Sequence, residues 1–75
     1  MSGRSRFDLF ITDLFGLYLG LERELQTNRL HVAASCRRAL AALRAYPPDD
    51  DGETILLETA IEQFEELLRR AGGRP

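Results

Sequence analysis

Lysine is absent from this chain, and cysteine and histidine occur once each, as Cys36 and His31. A single cysteine excludes an intrachain disulfide, and one histidine leaves few soft ligands for a structural metal. At 75 residues the chain is one domain, and a core of that size outweighs conformational entropy by only about a few kcal/mol. With disulfide and metal set aside, the remaining source of added stability is another chain. The lone thiol fits a reducing compartment and leaves open an intermolecular bridge through Cys36.

A basic excess is also missing. The net charge is -2 and the pI is near 5.3, which excludes the electrostatic footprint of a non-specific nucleic-acid binder. All ten basic residues are arginine, a compositional bias expected of a GC-rich bacterial genome. No long hydrophobic run occurs either. The mildly basic start, Met1 to Arg6, leads into an apolar stretch that Asp8 and Asp13 interrupt, and no small-residue cleavage site follows before Glu22-Arg23-Glu24. The stretch is short of the roughly 18 to 20 residues a membrane span needs. The sequence therefore reads as neither exported nor membrane-spanning, and the expected location is the cytoplasm.

Chemistry-bearing patterns are few. There is no strand, no glycine-rich phosphate loop and no Glu-x-x-His of the kind that builds di-metal sites in helical bundles. Asp49, Asp51 and Glu58 fall at ligand positions when Gly52 is aligned with the turn glycine of a calcium loop, but the first ligand position falls on Pro47, which has no side-chain oxygen. A solvated turn feeding a helix cap explains the same residues. His31 and Cys36, five apart, leave a helix on different sides, and Cys36 lies on an apolar face as a small hydrophobe rather than a nucleophile. The expectation is a non-enzymatic protein with no cofactor and no metal.

What is present is helical punctuation. Pro47 and Pro48 end any preceding helix near Ala45. Asp50 and Glu53 then have the form of a capping box opening a helix from about Asp51 to Ala71, which Gly72-Gly73 closes after Arg69 and Arg70. On that helix Leu56, Leu57, Ala60, Ile61, Phe64, Leu67, Leu68 and Ala71 share one face. Glu58, Glu62, Glu65 and Glu66 line the other, with Glu65-Arg69 and Glu66-Arg70 spaced to pair one turn apart.

Ser5 and Asp8 form a second capping box ahead of a helix whose stripe is Phe7, Phe10, Ile11, Leu14, Leu17, Tyr18, Leu21 and Leu25. Phe15 and Leu19 flank that stripe and Leu9 lies nearly opposite, so the apolar surface is wider than one packing partner in so small a protein covers. Gly16 and Gly20, four apart on the side away from the stripe, either permit a close helix approach or are a tolerated pair. The latter is favoured because that spacing is most diagnostic inside membranes.

Between Gln26 and Tyr46, Val32, Cys36, Ala39, Leu40, Leu43 and Tyr46 form a further helical face. A heptad-like spacing runs from Phe7 to Leu25 and again from Val32 to Tyr46, with a phase slip at Gln26-Thr27-Asn28-Arg29. That slip fits a turn capped by Thr27 or Asn28, or the middle of one long helix. A turn is favoured because it lets one chain fold its own apolar faces together, whereas an unbroken helix requires a dimer.

The expected fold is all-α: a short helical hairpin or three-helix bundle, completed by dimerisation into a larger helical bundle. Residues 1–75 make one helical domain, with flexible ends at 1–5 and 72–75 and a Pro/Asp loop at 47–50. The expected function is a protein-interaction module, whether adaptor, accessory subunit or small chaperone, that homodimerises or docks on a protein partner through Leu9, Phe10, Phe15, Leu19, Gly16 and Gly20. The alternative is a small dimeric nucleic-acid-associated regulator contacting phosphates through Arg37, Arg38 and Arg44.

Overall fold

The computed structural model describes residues 5–73, which form three helices: α1 (Arg6–Glu24), α2 (Arg29–Ala45) and α3 (Asp51–Arg70). The expected segments 1–5 and 72–75 lie partly outside the described residues. Of those inside, Ser5, Gly72 and Gly73 are all engaged in helix caps.

Each helix boundary has a local chemical cause. The Ser5 hydroxyl accepts from the Asp8 backbone N–H at 3.1 Å, which satisfies one of the orphan donors at the start of α1. At α3 the Asp50 carboxylate accepts from the Glu53 N–H at 2.8 Å, and the Glu53 carboxylate accepts in return from the Asp49 N–H at 2.9 Å. The capping box thus closes one residue outside its usual position. At the other end Gly72 adopts φ 83°, the left-handed conformation that only glycine takes without strain. The Gly73 N–H then reaches the Leu68 carbonyl and the Gly72 N–H the Arg69 carbonyl, both at 2.9 Å, the paired bonds of a Schellman stop.

The polar patch is a break, not the middle of a long helix. The Glu24 carbonyl accepts from the N–H groups of Thr27 and Asn28 at 3.0 and 2.8 Å, and α2 begins at Arg29. Asn28 occupies the N-cap position, yet its side chain makes no capping bond. The bonds to the Glu24 carbonyl, to which the Thr27 hydroxyl also donates at 3.4 Å, hold the turn, with His31 Nε2 lying 3.7 Å from the Glu24 carboxylate across it.

The helices run up, down and up. Phe7, early in α1, meets Tyr46 at the end of α2 with ring centroids 5.6 Å apart, and Tyr18 meets Phe64 edge to face at 5.7 Å. The core contains Leu21, Val32, Cys36, Leu43, Phe64, Leu67 and Leu68 as its most completely buried large side chains. At roughly 1.5 to 3 kcal/mol for each fully buried aliphatic or aromatic side chain, this cluster is the main favourable term. Several buried residues of α2 are small, namely Ala33, Ser35, Cys36 and Ala39, and α2 and α3 form the most extensive helix contact.

α1 is held more loosely. Only Phe7 and Leu21 within it are buried, and Phe10, Ile11, Leu14 and Tyr18 are half-buried against the core. Two stripe assignments change accordingly. Leu17 of α1 and Leu56 of α3 are exposed rather than internal. α1 rests in the shallow valley of the α2–α3 hairpin, so the valley covers only the centre of its wide apolar stripe.

The ion pairs also differ from the one-turn spacing. Glu65 pairs with Arg44 of α2 at 2.6 Å and Arg70 with Glu22 of α1 at 3.3 Å, while Arg69 turns to Glu66. Glu65 and Arg70 take partners on neighbouring helices because packing brings oppositely charged groups within reach. Among the described residues no helix is long and apolar enough to cross a membrane.

Candidate functional site

An apolar groove with a volume of about 350 Å³ lies between α1 and α3. α1 contributes Ile11, Leu14, Phe15 and Tyr18 to it, and α3 contributes Leu56, Ala60 and Phe64 with Thr59 and Gln63 as its only polar walls. The groove contains no charged side chain. A concave and mainly apolar surface of this kind favours contact with another apolar surface over contact with water.

Thr59 and Gln63 are exposed at the groove, and so are two of its apolar lining residues. Phe15 is 63% exposed and Leu56 50%. Leu19 lies one turn beyond Phe15, whereas Leu9 projects from a different side of α1; both are close to half exposed. Grouped apolar exposure of this sort on so small a protein marks an interaction surface more often than a scattered set does.

The residues expected at an interface divide into two sets. Leu9, Phe15 and Leu19 face solvent. Gly16 and Gly20 are also at the surface, and a methyl group added at either would meet nothing within 4 Å, so neither glycine serves close packing inside this chain. Phe10 is different. Its ring stacks on Tyr46 at 4.6 Å, which ties it into the internal aromatic cluster. Leu56 was not expected here. Leu56 satisfied the helical period of the buried stripe, and only the position of α1 leaves it uncovered.

Arg37, Arg38 and Arg44 do not converge. Arg44 is engaged with Glu65, and Arg38 lies 3.4 Å from the Ser35 hydroxyl, donating to it. At about 100° per residue, Arg38 is turned away from the flank that Arg37 and Arg44 share. The Asp50 and Glu53 carboxylates are committed to the α3 cap, where Asp49 contributes only its backbone N–H, and among the described residues no three metal-ligating side chains cluster.

Cys36 is fully buried, and burial pushes its thiol pKa above the ordinary value of 9.0, a shift that the neighbouring Arg37 charge opposes. A shielded, protonated thiol is a packing group, because the thiolate is the reactive species. Comparison of the chain with known protein families, curated proteins and solved structures gives no match.

Proposed function

We infer that this chain is a non-enzymatic helical interaction module that binds another protein surface through the groove between α1 and α3. The observation that supports this reading is Phe15, 63% exposed on the rim of an uncharged apolar groove. Leaving an aromatic ring and its leucine neighbours in water forfeits about 1.5 to 3 kcal/mol for each side chain that a partner would cover. The loose seating of α1 points the same way, since a partner laid in the groove would bury the half-covered Ile11, Leu14 and Tyr18 as well. An arginine-based nucleic-acid contact has no comparable support, because Arg44 is already paired within the chain.

Site-specific photo-crosslinking in the producing cell tests the reading. A photoreactive phenylalanine at Leu56 should give a discrete protein adduct, and the same group at Ala42, exposed on α2, should give none. An adduct of twice the chain mass identifies a second copy, and one of another mass identifies a different protein. Absence of any discrete adduct at Leu56 would overturn the module.

A further inference from the structure

Resting on the reading of the groove and its Phe15 rim as a docking face, we propose that a second copy of the chain packs along the adjoining solvent side of α1, with the two α1 helices antiparallel about a two-fold axis between Phe15 and Gly16. Asp8, Thr12, Phe15, Leu19 and Arg23 follow one another at spacings of four and three along α1 and are all exposed. They form a single stripe on the solvent side of the helix, next to the groove. The stripe is apolar at its centre and carries opposite charges at its ends.

That charge pattern selects one arrangement. Asp8 and Arg23 are equidistant from the point between Phe15 and Gly16, so a two-fold axis there sets each Asp8 against the second copy's Arg23. A parallel pairing would instead place Asp8 against Asp8 and Arg23 against Arg23. Among the described residues neither Asp8 nor Arg23 takes part in an ion pair. An isologous interface satisfies both ends with one contact used twice.

Steric complementarity falls in the same register. The operator that joins Asp8 to Arg23 carries Phe15 onto Gly16 and Thr12 onto Leu19. Phe15 is the most exposed aromatic ring, and Gly16 has open space where a side chain would stand. A glycine in a helix interior weakens the helix relative to alanine, and nothing inside the chain uses the room it provides. Opposite a protruding phenyl ring, that room lets the two backbones approach closely.

Sedimentation equilibrium of the full chain and four variants tests the proposal. Asp8→Arg and Arg23→Asp should each weaken the wild-type dimer about tenfold, and the double variant should return to near the wild-type affinity. Gly16→Leu should abolish the dimer while raising the melting temperature of the monomer, an outcome a merely structural glycine would not give. Single charge variants without effect, a double variant that fails to recover, or a Gly16→Leu chain that still dimerises would each overturn this arrangement. A wild-type chain that stays monomeric at about 100 µM would overturn it too. The Leu56 crosslink would still report docking on a different protein, so the two readings fail separately.

Discussion

The Phe10 ring lies parallel to that of Tyr46 with centroids 4.6 Å apart, while Phe7 meets the same tyrosine edge on at 5.6 Å. Two turns of α1 thus grip the last residue before the diproline, and that grip anchors the otherwise loosely held N-terminal half of α1. Phe10→Ala should therefore act on folding, not on association. A loss of about 1 to 3 kcal/mol is expected, read as a lower denaturant midpoint with the oligomeric state unchanged at concentrations where the chain stays folded.

Phe15 should behave in the opposite way. Its ring makes little contact inside the chain, so Phe15→Ser removes apolar surface from solvent without opening a cavity. Circular dichroism should retain the helical signal and sedimentation should show a weaker assembly. Phe64→Ala supplies the contrast. That ring is 2% exposed, and its removal should cost about 3 to 5 kcal/mol, enough to unfold a chain whose whole stability is of the same order. If Phe15→Ser lost helicity as Phe64→Ala does, the outer surface of α1 would belong to the core.

These contrasts separate what the residue pattern specifies from what it leaves open. Ser5, Asp50 and Gly72 act on their own backbone, so the helix ends were legible from a few neighbouring residues. α3 was equally clear, because glutamates oppose its leucines and leave one orientation. α1 has polar residues at few positions between Phe7 and Leu21, so its apolar stripe is broad and leaves a range of rotations open. Its rotation is set by α2 and α3, which is why Leu17 emerges and Phe10 turns inward. Ala33 and Ser35 are buried although nothing in their size or polarity announces it. The apolar surplus around Phe15 was legible as a surplus, whereas the groove needed the location of Leu56 relative to α1.

The C-terminal stop of α3 makes two adjacent glycines unequal. Gly72→Ala forces a side chain into the left-handed region and should cost about 1 kcal/mol. Gly73→Ala meets a steric obstacle as well, since its new methyl group would stand 2.3 Å from Leu68 Cδ1. Leu68 is fully buried, so its side chain has no free space to yield. Gly73→Ala should be at least as damaging as Gly72→Ala, and thermal melts of the two variants check the order.

Cys36 gives the protein a stability that depends on alkaline pH. Burial raises the folded-state pKa above the ordinary 9.0, so the unfolded chain releases the thiol proton first. Below that ordinary value both states hold the proton and the thiol adds no pH dependence. As the pH rises through it, the unfolded state gains stability from ionisation that the folded state cannot match, and the free energy of unfolding falls until the folded thiol also ionises. Urea melts between about pH 7 and 10 should therefore show a decline beginning near the unfolded thiol pKa. Cys36→Ala will start from a lower stability because it leaves a small cavity. Its curve should nevertheless be flatter over this interval, since the titrating group is gone. Equal slopes for the two proteins would mean that the thiol titrates alike whether the chain is folded or unfolded.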